Sequence, residues 1–300
     1  MAKLGQKTSA SAPVDIEALK AKMMQGMSHT KTLTNSMIAL VGPVKQGKSV
    51  CAATISEKFP ETLRTGKLTV LDDTYWLGFD RAATDGFAEL GFTVPGADLS
   101  VMPKDIYTFK QNIAAAVKEC KQYIDAGIVK NVVVDTVSTF DFIIMKYLSD
   151  MYEGDSNKMP MWGDLKSSHL NLWHQISGLD ARLVCLFHPK ARVELVSANT
   201  SIADKKKAEA KKLAESIDIE EPLELAVTGS AKTLWTAQAS MILPVVSERK
   251  GKRDPEYYLH LGSAKGIQGV SRFGGIESKQ PAHLGKLLEA IKANQPALES

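Results

Sequence analysis

Cysteine is scarce in this 300-residue chain: Cys51, Cys120 and Cys185 are the only three, and none forms a Cys-x-x-Cys pair. That removes the usual redox centre and half of a structural zinc site, and the three are expected to be reduced core thiols in a cytoplasmic protein. No apolar run reaches the roughly 18 residues a membrane span needs. The opening MAKLGQKTSASAP has no apolar stretch, so it does not read as a secretory signal. A strong charge of either sign is also missing, since 37 Lys and Arg face 34 Asp and Glu. Bulk charge therefore neither demands nor excludes nucleic acid. No Gly-x-Gly-x-x-Gly turn is present for a dinucleotide, and no Gly-x-Ser-x-Gly elbow for a nucleophilic serine. His169 and His174 stand five apart rather than four, a poor match to one helix face, and no Cys or Asp completes zinc-ligand spacing around them. Trp76, Trp162, Trp173 and Trp235 read as core or interface anchors.

What remains is an ordinary soluble composition with a patterned middle. Hydrophobic residues make up 44% of the chain, enough for a substantial core. Continuous apolar runs, 36–41, 67–73, 130–138 and 181–189, are predicted strands. Helical patterns at 49–59, 105–127 and 165–180 separate them. Unbroken apolar strands alternating with helices predict an α/β fold, a mainly parallel sheet covered on both faces. ASMILPVVS and EYYLHLGSA, parted by the polar turn ERKGKRDP, predict an antiparallel C-terminal hairpin at the sheet edge. The predicted organisation is an N-terminal arm with a short helix (1–34), a core (35–275) carrying a charged insertion at about 191–228, and a C-terminal helix and tail (276–300).

The most specific stretch is Gly42-Pro43-Val44-Lys45-Gln46-Gly47-Lys48-Ser49, which fits Gly-x-x-x-x-Gly-Lys-[Ser/Thr] at every position and continues into Val50. Such a pattern arises by chance in on the order of 1% of chains this long. Here it also follows an apolar strand and opens a helix. Backbone N–H groups of such a loop point at phosphate oxygens. Lys48 would reach the β- and γ-phosphates, and Ser49 would offer its hydroxyl to Mg2+. The expected cofactors are ATP and Mg2+.

A phosphate loop needs a carboxylate to position the metal. Asp135, closing the run VVVD, is the candidate, since ligands bind beyond the carboxyl ends of strands in open α/β sheets. Asp72 and Asp73 end the run LTVLDD, and either is a candidate base for an attacking water or a turn cap. His188, after RLVCLF, is a candidate γ-phosphate sensor or a structural strand end.

Taken in order, these parts resemble the RecA-like ATPases, and within them the compact phage-encoded nucleotide-binding or single-strand annealing group. The resemblance spans roughly 36–273, with weaker echoes in VVVDTVSTF, MWGDL and VTGSAKTLWTAQASMIL. It implies a RecA-like P-loop fold and ATP hydrolysis in DNA recombination or annealing. It also implies a homo-oligomeric ring or filament with ATP at subunit boundaries. On that resemblance Lys265 is the candidate group reaching across the boundary, with Arg272 in reserve. It further implies DNA-facing segments near 152–162 and 191–228. The second holds Lys205, Lys206, Lys207, Lys211 and Lys212, able to neutralise phosphates of single-stranded DNA or, with Glu209 and Glu215, to form a solvated helix. The chain departs from the pattern at 72–74, where Asp-Asp-Thr stands in place of the usual glutamate. The rival readings are a nucleotide-gated assembly factor without turnover and a nucleotide kinase-like phosphotransferase, though the segment ADKKKAEAKKL lacks the arginines a kinase lid needs.

Overall fold

Met37–Val41 (β1) is apolar at every position and buried at every position, which places it inside a sheet covered on both sides. The computed structural model describes residues 36–80, 84–190, 224–248, 255–265, 267, 269–271 and 276–294. These fall in one compact unit, Leu33–Ser300. The predicted arm and its short helix lie outside the described residues.

From β1 the chain enters helix α1 (Lys48–Ala53), makes the two-residue strand β2 (Thr69–Val70), and returns to the sheet as β3 (Thr74–Gly78). A short helix α2 (Phe87–Leu90) and strands β4 (Phe92–Thr93) and β5 (Gly96–Asp98) follow. Helix α3 (Ile106–Asp125) leads to β6 (Asn131–Asp135), α4 (Val137–Met151), α5 (Met159–Ser177), β7 (Arg182–Phe187) and β8 (Pro189–Lys190). The last part is β9 (Glu224–Leu225), α6 (Ser230–Gln238), β10 (Ala239–Glu248), β11 (Glu256–His260), β12 (Val270–Ser271), β13 (Lys279–Pro281) and α7 (Leu284–Asn294).

Among the described residues nine strands form the main sheet, in the order β13-β11-β10-β1-β7-β6-β3-β5, with β12 on β10. From β10 through β5 every pairing is parallel, whereas β11, β12 and β13 add antiparallel. The fold is thus α/β with a mainly parallel sheet and an antiparallel C-terminal pair. β10 is longer than a hairpin arm needs: its first part pairs with β1 inside the sheet, and only its last four residues pair with β11.

Alternation along each strand builds two cores. Met37, Ala39 and Val41 face one side with Val132 and Val134, beneath α3, α4, α5 and α6. Ile38, Leu40 and Val133 face the other, beneath α1, α2 and α7. At about 25 cal/mol per Å2 of apolar surface buried, this two-sided burial is the main drive for the fold. Asp105 caps α3 by accepting the N–H of Thr108 at 2.8 Å, and the Thr136 hydroxyl caps α4 by accepting from Thr139 N at 3.0 Å. No described helix is long and apolar enough to cross a membrane.

One strand expectation is corrected. The run 67–73 supplies only β2, in a side ladder with β4, and the sheet strand is the next block, Thr-Tyr-Trp-Leu-Gly. Asn131 onward pairs with Thr74 onward, so the partner strand selects TYWLG rather than LTVLDD.

Candidate functional site

The phosphate loop joins the buried end of β1 to α1 at the carboxyl edge of the sheet. Gly47 has φ +74, a left-handed conformation, and a Cβ there would stand 3.1 Å from the ring of Tyr257. Gly42 is required for another reason, since its Cβ would lie 2.8 Å from the carbonyl of Val245 on β10. Gln46 fastens the loop to the same strand by accepting the Ser247 N–H at 3.1 Å.

Lys48 is buried, and its ammonium donates to the carbonyls of Gly42 and Pro43, both at 2.7 Å. Burial pushes its pKa down to about 8, against the opposing pull of Asp135 and Asp80. Ser49 donates its hydroxyl to Oδ2 of Asp135 at 2.7 Å. Asp135 is only 2% exposed. Burial raises its pKa to about 7; Asp80 adds to the rise, while Ser49, Lys48 and Trp76 oppose it. The Trp76 indole N–H falls outside ordinary hydrogen-bond geometry. Its influence on Asp135 is the weakest of these and is best taken as a nearby dipole.

Lys48, Ser49 and Asp135 line one cavity of about 400 Å3, together with Val44, Lys45, Asp80 and His188. Val50, Phe87 and Leu90 add apolar surface to the lining, alongside Asp85. His188 is anchored on both sides: its N–H donates to the Ser138 hydroxyl at 3.0 Å, and its carbonyl accepts from Ala226 N at 2.8 Å. Burial, with Lys48 second, holds its imidazole below the usual histidine pKa. Its Nδ1 has no hydrogen-bond partner among the described residues. The lowered pKa favours the neutral imidazole, which stands at the cavity wall with Lys48 and Asp135. Of the sequence candidates, Gly47, Lys48, Ser49, Asp135 and His188 line this one cavity, and Gly42 is held to it by the Lys48 ammonium.

Asp72 and Asp73 do not line it. Both precede β3, and Thr74 pairs with Asn131 while Gly78 pairs with Asp135. That puts Asp73 and Asp72 at the amino edge, five and six residues before the position level with Asp135, or roughly 17 and 20 Å along the strand. Asp72 is half-buried and pairs with Lys58. Asp73 is buried and accepts from the Ser56 hydroxyl at 2.5 Å and Glu57 N at 2.9 Å, a structural task. The carboxylate that does reach the cavity from β3 is Asp80, two residues past the strand. Its backbone N–H donates to the Asp135 carbonyl at 3.1 Å, and its charge is felt at Lys48, Asp135 and His188. Once TYWLG is taken as the strand, the signal for Asp80 is the familiar one of an acid just beyond an apolar run.

The remaining predicted residues are dispersed. Lys265 does not line the cavity; it donates to the Ser247 carbonyl at 2.7 Å, next to the strand that holds Gln46 of its own chain. Arg272, and Lys205, Lys206, Lys207, Lys211 and Lys212, lie outside the described residues. In the segment 152–162, Trp162 is exposed, as is Met159. The Thr228-Gly229 turn is held by a buried network that sequence reading missed. Trp235 donates to His169 Nδ1 at 3.0 Å, so the neutral His169 donates from Nε2 to Asp141 at 2.9 Å. The Thr228 hydroxyl completes the network by donating to Asp141 at 2.6 Å.

Among the described residues no group of three or more His, Cys, Asp or Glu side chains is placed to hold a metal. Ser49 and Asp135, 2.7 Å apart, are the pair that could hold a Mg2+ whose other ligands came from phosphate oxygens and water. Neither the protein-family models nor the curated proteins compared with the chain match it.

Proposed function

We propose that this chain is a RecA-like, Mg2+-dependent ATPase that works as a nucleotide-controlled homo-oligomer on single-stranded DNA, in recombination or annealing. One observation carries the nucleotide part: Ser49 and Asp135 stand 2.7 Å apart in the cavity that also receives Lys48. Phosphates would lie on the loop amides and Lys48, with the base toward Val50, Phe87 and Leu90. Bound Mg2+ would supply charge neutralisation on the phosphates, held by Ser49 and, through water, Asp135. Asp80 takes the water-orienting role first considered for Asp72 and Asp73. His188 would donate a ring N–H to the terminal phosphate. The DNA and oligomer parts rest on the resemblance of the ordered motifs.

Calorimetric titration with Mg·ATP tests the first part, with Lys48→Ala as the control. Equal heats for both proteins would refute it. Filter binding of single strands at two salt concentrations, with and without ATP, tests the second, and retention unaffected by ATP would refute that. A second reading, ATP binding without turnover, is favoured by the aspartate, rather than glutamate, at position 80. Phosphate release by wild type at the Lys48→Ala background level would establish it.

A further inference from the structure

The helix that carries Lys48 and Ser49 is only six residues long. A helix of this length is marginal without tertiary support, so something beyond local propensity must hold the two side chains. The support comes from the far end of the chain. Thr54 ends α1 and is almost fully buried. Its hydroxyl donates to the Cys51 carbonyl at 2.6 Å and accepts the Leu284 N–H at 2.7 Å, while its carbonyl accepts the Gly285 N–H at 3.2 Å. One residue thus satisfies the first two amides of α7 and a terminal carbonyl of α1. The negative end of one helix meets the positive end of the other. The approach is close enough that a Cβ at Gly285 would lie 2.7 Å from the Thr54 carbonyl. Beneath it, Leu284, Leu287, Leu288 and Ile291 pack in one core with Cys51, Ala52, Ala53 and Ile55.

We infer that the start of α7 is a positioning element for the phosphate loop, and that Thr54 is the positioning residue through which it sets Lys48 and Ser49. The consequence for affinity rests on the nucleotide reading above. The placement of α1 does not.

The test uses the full chain. Thr54→Val keeps the side-chain volume and removes the hydroxyl, Thr54→Ser restores it, and Gly285→Ala forces the helices apart. Ile113→Val, in the other core, controls for general destabilisation. Hydrogen exchange on nucleotide-free protein should show the amides of 48–53 exchanging on the order of tenfold faster in Thr54→Val and Gly285→Ala than in wild type or Thr54→Ser. Mg·ATP affinity should fall on the order of tenfold in the same two variants and stay at the wild-type value in Thr54→Ser and Ile113→Val. Unchanged exchange in both disrupting variants overturns the inference, as does equal loss in Thr54→Ser. If Thr54→Val does not fold, Gly285→Ala decides by the same criteria. Faster exchange in a protein whose wild type binds no Mg·ATP would retain the positioning role and refute the nucleotide reading instead.

Discussion

Asp73 and Asp135 are both buried aspartates at the ends of neighbouring parallel strands, yet their surroundings differ in kind. Asp73, at the amino edge, is met by a hydroxyl and a backbone N–H that saturate it as a local staple. Asp135, at the carboxyl edge, has one strong donor, Ser49, and a second carboxylate nearby, so its charge is under-compensated. A satisfied buried carboxylate stabilises the fold, whereas one that Ser49 and the partly opposing Lys48 leave with a raised pKa keeps capacity for a further positive group, as the proposed Mg2+ site requires. Under the proposed function, the two edges of one sheet divide into a structural carboxylate and a site carboxylate.

The largest expected effect separates them outright. Lys48→Ala and Asp135→Ala should each lower Mg·ATP turnover by on the order of a hundredfold or more, measured as phosphate release, whereas Asp73→Ala should leave turnover per folded molecule unchanged. Next comes the reassigned acid. Asp80→Asn should reduce kcat by on the order of ten- to a hundredfold with little change in nucleotide affinity, and a wild-type kcat would return the water-orienting role to another group.

Asp73→Ala should then show its own cost. It leaves the buried Ser56 hydroxyl and Glu57 N–H without their acceptor, for a loss of about 2 kcal/mol in denaturant unfolding. A smaller effect is a pH trend in chelator-treated protein. The native pKa of Asp135, about 7, lies above its ordinary 3.8. The native state therefore holds this proton more tightly, and the resulting stability is complete below about pH 4 and lost as pH rises through 7. Asp135→Asn abolishes that loss, so its melting temperature should gain on wild type as pH rises across the interval, and a gain in the opposite direction would contradict the assignment. Least of all, Asp72→Asn removes an exposed pair with Lys58 and should match wild type in both stability and turnover.

Much of the site was legible because its signals are contiguous. Gly42 to Ser49 needs only neighbouring residues to form an anion cradle, and VVVD and RLVCLF announce their own strands and the residues that end them. Asp80 was hidden because 68–79 holds two apolar blocks, LTVL and TYWLGF, separated by Asp-Asp-Thr. Local propensity favours neither, and pairing with β6 decides. Helix α4 has no clear local signal because VSTFDFII is rich in β-branched and aromatic residues, whose weak helix preference is overridden by burial against the sheet. The link of His169 to Asp141 and Trp235 spans three helices and leaves no spacing to read.

By itself the sequence determined the α/β alternation, the phosphate loop and the chemical character of its lysine and serine, since each depends on residues a few positions apart. Tertiary structure alone decided which aspartates share the cavity, which block of 68–79 is the strand, and that a C-terminal helix grips the end of the phosphate-loop helix at Thr54. Those outcomes depend on strand register and on packing between segments as many as 230 residues apart, and such pairings are selected by the burial and hydrogen bonding of the whole sheet rather than by any local run.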